Sequence, residues 1–509
     1  MVPEEKDGRP GIGRRDFLRA MAAAGVLQRC SPGGRQSEGP NIVFIMADDL
    51  GYHSLGVYGT EAFRTPNLDR LARSGMVFTR CHARAMCVPS RTVLLGGRTL
   101  DRVRMGRVPE QSMAEVLAAR GYHCGFTGKW MQRHMPWNHG FAEGLVQVNW
   151  YKYYGPHFVA FNSGGYLKEH NLPLPLPETM MDRDLPVTGE DAQAFKLREA
   201  YGPEVLNDFA LDFIDRHKDR QFFLYYPMKL PHSPVLPTPD SARTPEVDNV
   251  LENARDLPVE DHGYSLKGGK QWETDVVAYI DKMVGRVLDK LEQEGLRENT
   301  LVVFTSDNGP GTDGDVRPGV ERLPGMKGGV LEGATRIPCL ISWPVVVRPG
   351  STYEGLVDFS DFLPTFAELT GEPLPADTPI NGISFANVLR GQEGKRRQWI
   401  YVHDGWHPNP ASRELYDGHS WSGEPKAPEG QSLRARVDPP YSHIKAFRYV
   451  FGPHFKLYSD GRFYDLKNDL HERNPIESVE GLPEVKRARR TLQQVLNRFP
   501  GKEAERPRT

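Results

Sequence analysis

The stretch "NIVFIMADDLGY" at 41–52 limits this chain more than any other. An unbroken apolar run that ends at once in two aspartates and a glycine does not alternate, as a half-solvated strand would. It reads as a strand buried on both faces, followed by its exit loop. "NTLVVFTSDNGP" at 299–310 has the same grammar, and "QFFLYYPMKLPHSP" at 221–234 is a third such segment. Between them lie helical patterns. "EVLNDFALDFIDRHK" (204–218) places Val205, Phe209, Phe213 and Ile214 on one face. In "TDVVAYIDKMVGRVLDKLEQEG" (274–295), Val276, Ile280, Met283, Val287 and Leu291 recur at helical spacing, and Gly295 is a natural stop. Buried strands alternating with amphipathic helices predict an α/β fold with a mainly parallel central sheet flanked by helices. Such sheets build their sites beyond the carboxyl ends of the strands, where Asp48-Asp49 and Asp307-Asn308 fall.

At 509 residues the chain is long enough for one large domain and a smaller one. A net charge of −2 gives no global attraction to nucleic acid or anionic membrane, so any anion site must be local. No apolar run approaches the ~18 residues of a membrane span. The five cysteines (Cys30, Cys81, Cys87, Cys124, Cys339) are scattered, odd in number and without Cys-x-x-Cys spacing. They make a poor disulfide or zinc framework. We divide the chain into 1–38, an export signal and linker; 39–395, a catalytic domain; and 396–509, a C-terminal subdomain. In the first, "GRRDFLRAMAAAGVLQRC" pairs Arg14 with Arg15 before a short apolar stretch, as in a twin-arginine export signal. Cys30 stands where a lipid anchor would attach, although Arg29 precedes it. In the last, 405–440 reads as loop. "YSHIKAFRYVFGPHFKLYSDGRFYDLKND" reads as a small antiparallel sheet with turns at Gly452-Pro453 and Asp460-Gly461, and "PEVKRARRTLQQVLNRF" as a terminal amphipathic helix.

Asp48, Asp49, Asp307 and Asn308 are hard oxygen ligands on two strand ends. Brought together, their three carboxylates repel unless a divalent cation neutralises them, and oxygen ligation favours Ca²⁺ or Mg²⁺ over zinc. The plainer reading of either pair alone is a turn at a strand end. "CVPSRTVLLGGR" at 87–98 sets Cys87 at what reads as a helix start, with Arg80, Arg84 and Arg91 close in sequence. Both features lower a thiol pKa and favour an anion. A cysteine-phosphatase loop needs an arginine six residues on, and that position is Val93.

"CVPSR" resembles the Cys-x-Pro-Ser-Arg signature of the type I, formylglycine-dependent sulfatases of the alkaline-phosphatase-like superfamily. Further blocks follow in that family's order: "NIVFIMADDLGY", "TPNLDRLARSGMVFTR", "TGKW", "PWNHGF", "LPHSP", "VVFTSDNG", "GMKGGVLEGATRIPCLISWP", "DFSDFLPTFAELTG" and "GRFYDLKNDLHERNPI". The resemblance covers roughly 40–480. It implies that a formylglycine-generating enzyme oxidises Cys87 to formylglycine, whose hydrate attacks sulfur. Ca²⁺ would be held by Asp48, Asp49, Asp307, Asn308 and the modified residue 87. Arg91 would hold residue 87, Lys129 and Lys327 would bind sulfate oxygens, and His232 would protonate the departing alcohol.

Three positions depart from the family pattern. Met131 stands where Gly-Lys-Trp-His has histidine, and methionine accepts no proton; His134 is a candidate replacement. Val88 is bulkier than usual, and Gly96 replaces the threonine of Thr-Gly-Arg. The expected activity is hydrolysis of a sulfate monoester on a carbohydrate or an aryl or alkyl alcohol, by an exported enzyme. The aromatic stretch "VNWYKYYGPHFVAF" offers either stacking surface for sugar rings or ordinary packing. The alternatives are a phosphodiester or phosphonate monoester hydrolase using the same formylglycine, and a non-catalytic binder of sulfated glycans, which Met131 motivates.

Overall fold

The computed structural model describes residues 39–100, 106–147, 153–154, 157–161, 192–196, 200–256, 272–311, 323–371, 374, 378–404 and 447–499. The twin-arginine segment, Cys30 and the 405–440 stretch lie outside the described residues.

The strand predicted at 41–52 forms β1 (Asn41–Ala47) at the centre of an 11-stranded sheet. Around it run β2 (Met76–His82), β3 (His123–Gly128), β4 (Glu143–Gln147), β5 (His157–Phe161), β6 (Ala192–Lys196), β7 (Phe222–Pro227), β8 (Thr300–Ser306), β9 (Arg336–Ser342), β10 (Ser351–Tyr353) and β11 (Val357–Asp358). The strand order is β10-β2-β9-β8-β1-β7-β3-β4-β5-β6, with β11 beside β2. The central run β8-β1-β7-β3-β4 is parallel. Strand β9 pairs antiparallel with both β8 and β2, and β5 and β6 continue the other side antiparallel.

The lack of polar alternation in β1 has a direct cause: apolar layers cover both of its faces. Ile42, Phe44 and Met46 enter one core, with Val93 and Leu94 of α2 (Cys87–Gly96) and Phe362 and Phe366 of α5 (Phe362–Leu369). Val43, Ile45 and Ala47 enter the other, with Leu68 of α1 (Pro66–Arg73), Phe209 and Phe213 of α3 (Gly202–Arg216), and Ile280 and Val284 of α4 (Glu273–Gln293). Each large apolar side chain buried this way contributes about 1.5–3 kcal/mol. The α4 stripe is buried as expected. On α3 the stripe is rotated: Leu206 and Ala210 are buried while Val205 is only partly so, because the 206/209/210/213 row faces the sheet.

A separate antiparallel sheet, β12 (Ile400–Asp404), β13 (Phe447–Phe451), β14 (Phe455–Tyr458) and β15 (Phe463–Asp465), follows. The predicted turns fall between β13, β14 and β15; β12 pairs with β13 across the 405–446 segment, with no short hairpin turn to mark it in the sequence. The terminal helix α6 (Pro483–Arg498) covers one face through Leu492, Val495 and Leu496. The other face packs on Val330 and Leu331, just beyond Lys327. No described helix is long and apolar enough to cross a membrane. The described cysteines, Cys81, Cys87, Cys124 and Cys339, are all buried free thiols.

Candidate active site

Strand register brings the two acidic pairs together. Ala47 pairs with Ser306 at the end of the β1–β8 ladder, so Asp48 and Asp307 leave adjacent strands side by side. The backbone N–H of Asp49 donates to Asp307 Oδ1 at 3.1 Å, and Asn308 Nδ2 donates to Asp49 Oδ1 at 2.7 Å. Asp49 turns at φ 71°, a conformation uncommon outside glycine. Gly311 passes so close that a Cβ there would lie 2.5 Å from Asp49 Oδ2, so its lack of a side chain is required.

Helix α2 delivers Cys87. The thiol is the first residue of the helix, with Sγ 3.4 Å from Asp48 Oδ1 and 3.8 Å from Asp49 Oδ1. Ser90 locks the approach: its hydroxyl accepts from Arg84 N–H at 2.9 Å and donates to Arg84 O at 3.1 Å. One turn on, Arg91 donates to Asp307 Oδ2 from Nε (3.1 Å) and Nη2 (2.8 Å), and to Lys129 O at 2.9 Å. The expected electropositive setting for the thiol is overturned. Arg84 is spent on Asp358 at 2.7 Å and Arg80 on Gly452 O, so only Arg91 turns inward. Burial, then the charge of Asp307, pushes the Cys87 thiol well above its ordinary pKa. Burial and the carboxylates therefore favour the neutral thiol over the thiolate at an unmodified Cys87. Gly96 also has a structural reason: a Cβ would stand 2.4 Å from Pro109 Cγ, leaving no room for threonine.

The remaining expected groups converge on the same carboxylates. Lys129, just past β3, pairs with Asp48 in full burial. Lys327 Nζ donates to Asp49 Oδ1 at 2.6 Å. His232 Nδ1–H donates to the Ser233 carbonyl at 2.7 Å, which turns Nε2 toward Asp49 Oδ2 at 3.7 Å. Burial raises the Asp48 pKa, but Lys129, His232, Arg91 and Lys327 outweigh it and hold that carboxyl well below the usual range. Asp307 goes the other way. Burial and the Asp48 charge push it up to about 6 despite Arg91. Burial, Lys129 and Lys327 push His232 down to about 3, so the ring is neutral at pH 7.

The donor set fits a hard divalent cation. Asp48, Asp49 and Cys87 offer ligand atoms within 4.8 Å of one another, with His232 beside them. Asn308 Oδ1 is buried and has no hydrogen-bond partner among the described residues, an orphan acceptor that a cation would satisfy. Three carboxylates balance Arg91, Lys129 and Lys327. A bound divalent cation would leave the pocket net positive, the condition for holding an anion.

His134 does not join this cluster. It is exposed, with its ring 6.4 Å from that of His139. Met131 is partly exposed beside it. Of the aromatic stretch, Tyr153, Tyr154, Phe158 and Phe161 are buried, so these rings pack the interior and do not offer an open stacking surface; Trp150 and Tyr151 lie outside the described residues. Sequence reasoning passed over Lys229, whose buried Nζ sits over the Tyr153 ring. The available signal was a lysine inside an otherwise buried strand exit.

A second group, His123, Glu143 and His217, lies at the opposite ends of β3 and β4. Both rings donate to Glu143 Oε1, and Arg216 holds Oε2 at 2.7 Å. Every member is thereby satisfied, and we read it as a structural ion cluster. Burial raises the Glu143 pKa, but His123, His217 and Arg216 override it and hold the carboxyl well below the ordinary range. A lowered carboxylate pKa stabilises the fold above the unfolded value of about 4.3, and this contribution is lost as pH falls below it. Glu143→Gln is expected to lose about 1.5–3 kcal/mol at pH 7. Its difference from wild type should shrink toward pH 3, as read by urea unfolding at both pH values.

A doubly covered, mainly parallel sheet with acidic strand ends, a helix-borne Cys87 and inward lysines defines an α/β protein of alkaline-phosphatase-like architecture with one buried site at its strand ends. The sulfatase family model matches residues 40–372. The chain is 32% identical to arylsulfatase A of Homo sapiens over 422 residues, covering 77% of this chain and 74% of that one. It is 29% identical to N-acetylgalactosamine-6-sulfatase of Mus musculus over 436 residues, covering 80% and 76%. Among solved structures, one in complex with its substrate D-glucosamine-2-N,6-O-disulfate matches with TM-score 0.63 at 21% identity, covering 92% and 100%. A sulfatase from Pseudoalteromonas sp. matches with TM-score 0.59 at 20% identity, covering 96% and 94%. The chain belongs to the sulfatase family and is a hydrolase of sulfate esters.

Proposed function

We propose that the protein hydrolyses a sulfate monoester of a carbohydrate or of an aryl or alkyl alcohol, using formylglycine made from Cys87 and a bound Ca²⁺. The observation that carries this reading is the convergence of Cys87 Sγ, 3.4 Å from Asp48, with Asp49, Asp307, Asn308 and the inward lysines on one buried point. Asp48, Asp49, Asp307 and Asn308 are the residues that would hold the cation. When present, the cation and the modified residue 87 supply charge neutralisation and an oxygen nucleophile that the thiol cannot.

The protein's own groups do the rest. Arg91 fixes the Asp307 carboxylate through two guanidinium nitrogens and so sets the geometry of the cluster. Lys129 and Lys327 supply point charges suited to a tetrahedral anion, whose oxygens they can follow without a fixed fork. His232, its Nδ1 proton tied to Ser233, can carry a second proton on Nε2 toward the departing alcohol oxygen. A bound sulfate's negative charge raises the His232 pKa from its low value in the protein alone, which makes that protonation attainable. The substrate range follows the relatives, one named arylsulfatase A and another N-acetylgalactosamine-6-sulfatase. The twin-arginine segment supports export.

Turnover of an aryl sulfate against that of an aryl phosphodiester tests the reading; strong diesterase activity without sulfatase activity would falsify it. Unmodified Cys87, after co-expression with the formylglycine-generating enzyme, would instead support a sulfated-glycan binder. Chelation is a second test. Stripping with EDTA should lower the melting temperature and abolish turnover. Restoring Ca²⁺ to ~100-fold above its Kd should recover about 2.7 kcal/mol of stability.

A further inference from the structure

Lys229 leaves the carboxyl end of β7, the middle strand of the β1-β7-β3 run. On one side, Asp48 N–H donates to the Leu230 carbonyl at 2.9 Å; on the other, Lys129 N–H donates to the Pro227 carbonyl at 2.9 Å. The residue is thus set between the two chain positions that present Asp48 and Lys129. It is 1% exposed. Its Nζ has no hydrogen-bond partner among the described residues and lies 3.4 Å from the centroid of the Tyr153 ring. The Tyr153 hydroxyl in turn donates to the His232 carbonyl, tying the ring to the same loop.

This is unlike the other buried or half-buried lysines of the site and of the C-terminal sheet. Lys129 has Asp48, Lys327 has Asp49, and Lys456 of the C-terminal sheet has Glu472 at 2.7 Å. Burial, then repulsion from Lys129, drives the Lys229 ammonium well below its ordinary pKa, with Asp48 opposing. A buried amine without an acceptor is unfavourable, and methionine would fill the same length without that penalty. A buried, unpartnered amine that weakens the fold is found where function needs it.

We propose that Lys229 is a third anion-binding group of the site, engaging the sulfate head of the substrate together with Lys129 and Lys327. The proposal rests on the sulfatase reading above. A sulfate ester presents three non-bridging oxygens to this pocket, and its negative charge is the partner that Lys229 otherwise lacks. Tyr153 holds the ammonium by its ring face, an attraction that leaves the N–H groups available to the anion.

The test compares wild-type holoenzyme with Lys229→Met, using inorganic sulfate as a competitive inhibitor of aryl sulfate turnover. We expect the sulfate inhibition constant to rise about tenfold, the scale of one charged hydrogen bond. The variant's kcat/KM should fall in similar proportion, and its melting temperature should stay level or rise. Lys229→Arg should recover part of the affinity. A purely structural lysine predicts the reverse: a lower melting temperature with sulfate inhibition and kcat/KM within twofold of wild type. That result, or unchanged inhibition at unchanged stability, overturns the proposal. If Lys229→Met does not fold, Lys229→Gln takes its place under the same criteria. Should the wild type turn over no aryl sulfate, the functional reading fails. The rise in melting temperature with added sulfate, compared between the same two proteins, still decides the role of Lys229.

Discussion

Cys87→Ala should abolish sulfate-ester turnover, lowering kcat by about 10⁴-fold or more, the scale on which removal of a covalent nucleophile acts. The fold should survive. The Cys87 side chain is small, and its sulfur lies 3.4 Å and 3.8 Å from the carboxylate oxygens of Asp48 and Asp49. Deleting it removes no apolar contact with them and leaves Arg91, Asp307 and Lys129 in place. Melting temperatures within a few degrees of wild type, beside lost turnover, separate chemistry from collapse. Cys87→Ser should be almost as inactive, since serine keeps one oxygen where a hydrated aldehyde has two. The decisive control is the mass of the tryptic peptide carrying residue 87: active wild type must carry the modification. Retention of turnover within tenfold in Cys87→Ala would place the nucleophile elsewhere and sink the proposed mechanism.

The second large effect depends on the substrate. His232→Ala should lower kcat by about 10²–10⁴-fold for an alkyl or sugar sulfate, whose departing alkoxide needs a proton. For a nitrophenyl sulfate, whose leaving group departs as a stable anion, the loss should be under about tenfold by the same argument. A rate series over leaving groups of rising pKa should be steeper in the variant than in wild type. An equal loss for every leaving group would mean that His232 only positions the substrate. The pH dependence has a sign as well. With its pKa pushed down to about 3, His232 stays neutral in the folded protein while the unfolded ring binds a proton below about 6.5. The unfolded state therefore gains protons first, and His232 weakens the fold as pH drops through that window. His232→Ala should be the more acid-resistant protein, measured by its melting temperature between pH 7 and 4.

Much of the architecture is written locally. The strand at 41–47 is legible because a doubly covered strand takes apolar residues on both faces, and the α4 stripe because one helical face meets an apolar sheet. The signature at Cys87 and the acidic strand ends are legible because their chemistry demands particular residue types. What sequence spacing misjudged is environmental. Arg80 and Arg84 stand near Cys87 in the chain, yet their side chains leave for Gly452 and Asp358. The thiol is consequently governed by burial and carboxylates, not by arginines. His134 is equally near Lys129 in the chain and yet ends in solvent. Lys229 carried no motif at all, because a lone lysine is ordinary until its lack of a partner is seen.

By itself the sequence determined which segments must be buried strands, where the polar strand ends lie, and which residue types are available for metal, anion and proton chemistry. Short-range pattern suffices for these, since burial and periodicity are properties of consecutive residues. Only the tertiary structure decided that Asp48 and Asp307, over 250 residues apart, share one site through the Ala47–Ser306 register. It alone decided that the same site lifts Asp307 while depressing His232. Coulomb interactions and desolvation depend on distances in space, and those are set by strand register and packing, which local sequence does not contain.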